Sequence, residues 1–271
     1  MVSTAQGPGG SGYGATGRIA DSAGRAGERP PPARDDLTMQ HRRADGFTLI
    51  ELLIVVAIIA IIASIAVPSL LRSRSSANEA AAIATLKSLV STQAQIRTMA
   101  AIDANRNGAG EHGFFAEMAG SVAPRIDEAG NVGTAPVVPL MMPAFGQLTN
   151  GAVARAGYHF RMFLPAVGTG APTGEAATGG AVGLNIDARL AETQWCAYAW
   201  PSSFGISGHR AFFINQGGDI LTTENSVQRY NGSATPVAGN AAFAIGSPNA
   251  MGSATAANTV GNDGGRWVVV N

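Results

Sequence analysis

Apolar and polar positions divide the chain into an unbroken apolar run, a striped helical stretch and a remainder with short alternating segments. Residues 47–67 are 21 residues in which only Thr48, Glu51 and Ser64 are polar and no Gly or Pro occurs. At about 1.5 Å rise per residue they predict a helix roughly 31 Å long, the thickness of a bilayer's hydrocarbon core. The run is too long and unbroken for the apolar part of a secretory signal, and no small-residue cleavage site follows it. Pro68 comes next. Without an N–H it is expected to kink or loosen the helix rather than end it. Residues 69–102 again lack Gly and Pro. Within them Ile83, Leu86, Leu89, Val90 and Ile96 fall at spacings of three, four and seven, an amphipathic stripe.

Strand patterns begin later. Tyr158, Phe160, Met162 and Leu164 alternate with more polar positions, and residues 193–200 form a second strand pattern stopped by Pro201. Residues 210–215 and 219–223 flank Gln216-Gly217-Gly218, a hairpin signal. Residues 267–270 read as a last edge strand, and residues 112–118 as a short helix or turn. Residues 166–183 and 231–265 are rich in Gly and Ala and read as long loops. The predicted class is α+β. A long N-terminal helix, transmembrane in its first half and amphipathic in its second, packs on a small antiparallel sheet. Three segments result: 1–46 as a leader or disordered stretch, 47–102 as the helix with its span at 47–67, and 103–271 as the head.

Residues 1–46 carry Gly, Pro, Ala and Arg without hydrophobic period. A start at Met39 would leave Met39-Gln40-His41-Arg42-Arg43-Ala44-Asp45-Gly46, a leader of eight residues. The next residues matter most. Arg42-Arg43-Ala44-Asp45-Gly46-Phe47-Thr48-Leu49-Ile50-Glu51 combines a basic leader, a Gly, an aromatic, a hydroxyl residue, two aliphatics and an acid. This resembles the N-terminus of type IV prepilins and type II secretion pseudopilins, and Pro68 matches a Pro common in that family. The resemblance covers about residues 42–75. It implies cutting by a prepilin peptidase between Gly46 and Phe47, N-methylation of the new Phe47 amine, and residence in a bacterial inner membrane with the leader inside and the head outside. It further implies extraction by an inner-membrane assembly platform into a helical filament of like subunits. The type II pseudopilin is the first reading. A type IV pilin for adhesion, motility or DNA uptake is the alternative, and a membrane-tethered binding domain that never polymerises is a third.

Glu51 is the oddity of the run. An acid inside a membrane helix costs on the order of 2.5–3.5 kcal/mol, so it is a functional candidate by default. In a filament core of low dielectric, the ammonium of a neighbour's Phe47 is its natural partner. Such a pair forms only at one axial stagger and would favour the correct register. The plainer alternative is that Glu51 snorkels to the headgroups.

Asp103, Asn105 and Asn107 followed by Gly108 match the first half of a calcium loop. The closing acid is missing, because its position is Phe114, so Glu111 and Glu117 could serve only through another geometry. Asn and Gly also make ordinary turns after helices, and that is the better reading of the two.

Charge narrows the classes. Lys+Arg and Asp+Glu are 18 each; residues 1–46 hold six Arg and five acids, leaving 12 and 13 beyond Gly46. This near neutrality offers no electrostatic footprint for nucleic acid. Cys196 is the one Cys, so the head has no internal disulfide, and its place between Trp195 and Tyr198 reads as core. His112, His159 and His209 lack metal-ligand spacing, and no nucleophile elbow or phosphate loop occurs. No catalytic residue is assigned, and Trp195, Trp200, Phe212 and Phe213 read as sheet core.

Overall fold

The computed structural model describes residues 46–270. The leader reading of residues 1–45, the start at Met39 and the Arg42-Arg43 pair lie outside the described residues. Helix α1, Leu49–Thr98, runs through Pro68 without ending. It closes at Ala100, which takes a left-handed conformation with φ 45°. The Ala100 N–H donates to the Arg97 carbonyl at 3.0 Å. A Cβ at position 110 would collide with that same carbonyl, so glycine is required where the chain passes the helix end.

Eight strands follow: β1 Val153–Arg155, β2 Tyr158–Pro165, β3 Pro172–Gly174, β4 Cys196–Pro201, β5 Ala211–Asn215, β6 Leu221–Thr223, β7 Thr259–Val260 and β8 Arg266–Val269. They form one antiparallel sheet in the order β1-β2-β4-β5-β6-β8-β7, with β3 also on β2. The centre is β2 against β4, with Phe160 opposite Ala199 and Met162 opposite Ala197. Two short helices, α2 Phe115–Met118 and α3 Ala188–Ala191, complete the fold. The fold is thus α+β with few helices.

The period of two sends alternate side chains to opposite faces. Tyr158, Phe160, Met162 and Leu164 join Ala82, Leu86, Leu89 and Ile96 of α1 in one core. Phe163, Tyr198, Trp200, Phe213 and Trp267 point the other way into a second core. That second core is closed by Tyr230, Val237, Phe243 and Met251. The stretch 231–265 is therefore a cover, although its composition reads as a loop. Trp195 and Phe212 lie in the first core, Trp200 and Phe213 in the second. Cys196 is buried in the second core, and burial pushes its thiol up.

Three expectations need adjustment. Strand β8 is held on both sides, by β6 and the two-residue β7, so it is not the sheet's edge. Strand β1 precedes the first expected strand. It joins β2 through Ala156 and Gly157, at φ 47° and 75°, a tight turn with both central residues left-handed. Strand β3 lies inside the expected 166–183 loop, and its Pro-Thr-Gly carries no alternation to reveal it.

Candidate assembly site

Every residue from 46 to 74 is exposed except Ala63, which is half-buried. Helix α1 is long and apolar enough to cross a membrane, and none of its most apolar window is buried in the chain. A fully buried Leu, Ile or Val is worth roughly 1.5–3 kcal/mol over an exposed one. Such a face calls for lipid or other apolar helices as its surroundings. Glu51 lies in the first turn of α1 and Pro68 inside it, both exposed. Phe47, just before α1, is 90% exposed.

Burial begins at Ser75. Ser75, Glu79, Ala82, Leu86, Leu89, Gln93 and Ile96 are buried, at strictly alternating steps of four and three. That is one stripe of an α-helix. The stripe is apolar in its middle and polar near both ends. Glu79 is paired with Arg210 at 2.7 Å, and its other oxygen accepts the His209 N–H at 3.1 Å. Beside it, Asn78 Nδ2 donates to the Ser207 carbonyl at 2.9 Å. Burial alone would raise the Glu79 carboxyl, but the His209 N–H and Arg210 hold it below its usual value. Gln93 donates from Nε2 to the Gly113 carbonyl at 2.8 Å and accepts the Gly113 N–H at 3.0 Å. Its oxygen also lies 3.2 Å from His112 Nδ1. These polar contacts near the two ends of the stripe set the register of α1 against the head.

The structure does not gather Asp103, Asn105, Asn107 and Glu111 as one ligand set. Asp103 accepts the N–H groups of Asn107 and Gly108, both at 3.0 Å. Asn105 accepts the Asn107 N–H at 3.1 Å, and Asn107 the Ala109 N–H at 2.7 Å. The loop is closed on its own backbone, with Arg106 and Gly108 at positive φ. Glu192 joins it, accepting from Asn105 Nδ2 and Asn107 Nδ2. Glu111 points inward instead. It accepts the Ala104 N–H at 2.7 Å and pairs with Arg125 at 2.8 Å, with both side chains fully buried. Among the described residues no group of three or more His, Cys, Asp or Glu is placed to hold a metal.

Arg125 organises the polar interior and was not singled out from sequence. It also pairs with Glu117 at 3.0 Å and donates to the His112 carbonyl at 2.7 Å. Glu117 in turn accepts the Phe114 N–H at 2.8 Å and the Arg125 N–H at 3.0 Å, capping α2. Glu175 accepts the N–H groups of Phe115, Ala116 and Gly180 at 3.1, 2.8 and 2.9 Å. Burial pushes its carboxyl up to about 8, against those three hydrogen bonds. Burial lowers His112 to about 4, helped by the nearby Arg97. The one sequence signal for this cluster was Glu117 inside the apolar run 114–118. The three histidines are not collected: His112 lies on Trp195, His159 on Trp200 and His209 on Phe204.

Comparison with known proteins adds two matches. The family model described as a prokaryotic N-terminal methylation motif matches residues 41–67, the prepilin-type motif of pilins and pseudopilins. The family model described as protein of unknown function (DUF2950) matches residues 64–229. No curated protein and no solved structure matches the chain.

Proposed function

The chain belongs to the family described as protein of unknown function (DUF2950), and we propose that it works as a structural subunit of a type IV pilus-like filament. The methylation motif supports a type IV pilin-like or pseudopilin subunit, and such proteins are not enzymes. The carrying observation is the junction of two halves in one helix. The motif opens an apolar half that its own chain leaves bare to residue 74, and the buried stripe begins at Ser75. A plain membrane anchor needs the first half only.

In this reading a prepilin peptidase cuts between Gly46 and Phe47 and methylates the new amine. The subunit waits in a bacterial inner membrane with residues 47–67 as its span and the head outside, then joins other copies through the bare half-helix. Of the two classes that share this module we take the type II secretion pseudopilin. Mass spectrometry of the assembled protein is expected to show an N-methylated Phe47 at the N-terminus. Gly46→Val should leave the precursor uncut. An intact 39–46 segment in assembled protein would overturn the reading. Deletion should abolish secretion of an outer-membrane-crossing protein; loss of surface pili with secretion intact would move the chain to the pilin class.

A further inference from the structure

The back face of the sheet holds a recess of about 160 Å³ lined by Thr149, Asn150, His159, Arg161, Trp200 and Ser233, among others. Strand β2 supplies His159 and Arg161 two residues apart on this face. Trp200, directly opposite His159 in β4, stacks on the imidazole with ring centres 5.7 Å apart. Trp200 is itself fixed, since its indole N–H donates to the Gly232 carbonyl at 2.7 Å.

Two atoms in this recess are buried with no hydrogen-bond partner among the described residues: His159 Nδ1 and Arg161 Nε. Arg161 is half-buried, and it is its Nε that meets no acceptor there. A buried polar group costs about 1–3 kcal/mol when unpaired, and more when charged. No ion pair forms on Arg161 among the described residues; its guanidinium lies over the Phe163 ring at 5.4 Å. Glu175 is the acid whose field reaches it, but that carboxylate is already engaged by three N–H groups. Its position is nonetheless shaped. A Cβ at Gly174 would come within 2.6 Å of Arg161 Nε, and one at Gly151 within 3.4 Å of its Nη2. Gly174 thus makes room for the guanidinium, while Gly151 is held to glycine by the Glu175 carbonyl. Gly151 belongs to the tight turn in which Thr149 and Ala152 exchange backbone hydrogen bonds at 2.8 and 3.2 Å.

We propose that this recess binds a small oxyanion, a carboxylate or phosphate group, with Arg161 as its charge partner and His159 as a second hydrogen-bonding group. Arg161 is the one permanently charged side chain lining it, and no acid does. A guanidinium fork matches a planar or tetrahedral oxyanion. At roughly 30 Å³ per water, the recess has the volume of about five waters, enough for such a group and little more. Burial holds the imidazole below its ordinary range, so near neutral pH it is uncharged and Arg161 carries the charge. The recess lies wholly in the head, so its occupancy does not depend on filament assembly.

The test uses the full chain purified in detergent, titrated separately with sodium acetate and with sodium phosphate at constant ionic strength held with chloride. One or both titrations should raise the melting temperature with a saturable dependence, and the tighter anion identifies carboxylate or phosphate as the group. Arg161→Gln should weaken binding at least about tenfold, the loss of a charge-assisted contact. Ser233→Phe supplies a second route. Ser233 is exposed, so its replacement fills the recess mouth without touching the sheet core. It should abolish the saturable shift and leave the anion-free melting temperature in place. Absence of any saturable shift in the parent chain would overturn the proposal, as would a shift that survives Ser233→Phe unchanged.

Discussion

Glu175 and His112 are both buried beside the short helix α2, Glu175 on the Phe115 and Ala116 N–H groups and His112 just before its start, and burial moves them in opposite senses. Glu175 is pushed up to about 8 and His112 down to about 4. An acid with a raised folded value takes up a proton on folding, so it lowers stability as pH rises from about 4.5 to 8. A histidine with a depressed folded value is lost as pH falls from about 6.5 to 4. The two slopes oppose each other between about 4.5 and 6.5, where stability should be nearly flat. Above 6.5 only Glu175 and Glu111, also raised by burial, remain on this side of the balance. Unfolding of the chain in denaturant is therefore expected to become easier by about 2 kcal/mol between pH 6.5 and 8. Below 4.5 stability should fall again as Glu79, held low by its hydrogen bonds, takes up a proton. Glu175→Gln should remove most of the alkaline decline. It should also cost about 1–3 kcal/mol at pH 6, because an amide nitrogen would face one of the three N–H donors. A pH profile identical to the parent's would show that Glu175 stays ionised.

Asp103 is a second case where one side chain serves two readings. Its two oxygens hold the Asn107 and Gly108 amides, so Asp103→Ala should cost about 1 kcal/mol of head stability, as at a helix cap. If that loss is the same with and without millimolar calcium, the residue closes a turn. If calcium raises the parent's melting temperature and not the variant's, the loop also holds the ion.

At the scale of elements, α1 carries two surfaces with opposite demands. Leu86 is fully buried, whereas Ile58 is 52% exposed. Leu86→Ala should cost about 2–5 kcal/mol in head unfolding, and Ile58→Ala close to nothing. We also expect a chain begun at Ser75 to be soluble and to unfold cooperatively, since the buried stripe starts there. Persistent aggregation or a random-coil circular dichroism spectrum would refute this division. The apolar members of the stripe, Leu86, Leu89 and Ile96, were legible from their period. Glu79 and Gln93 were not, because a periodicity argument discards polar residues even when they point inward. Strands β2, β4, β5 and β6 were legible from alternation and from the Gly217-Gly218 turn. The cover formed by 231–265 was not. Its Gly, Ala, Asn and Ser bury a face by following its contour, and such packing has no period. The Arg125 cluster was equally hidden, since its partners come together only once the chain is folded. The N-terminal motif is the contrary case, an ordered local code that needs no tertiary context.

At the scale of the whole molecule, the head satisfies its own core and the bare half-helix does not, so the site of Glu51 has to be judged in lipid or among other copies. A carboxylate in the first turn of a membrane helix weakens insertion. If it only snorkelled to the headgroups, Leu or Ala in its place would be harmless or would improve retention in the membrane. If it sets the stagger of neighbouring subunits by pairing with the Phe47 amine of another copy, the outcome differs. Glu51→Leu should be made, inserted and cut after Gly46, yet fail to join filaments, because a neighbour's ammonium would then be buried without its charge complement. Removing one partner of a buried ion pair costs about 3–5 kcal/mol, which lowers incorporation more than about a hundredfold when assembly is near equilibrium. Tagged parent and Glu51→Leu chains co-expressed in one cell, followed by shearing and separation of filament from membrane, would measure the ratio directly. Equal incorporation of the two would reject the pairing role while leaving the processing at Gly46 untouched.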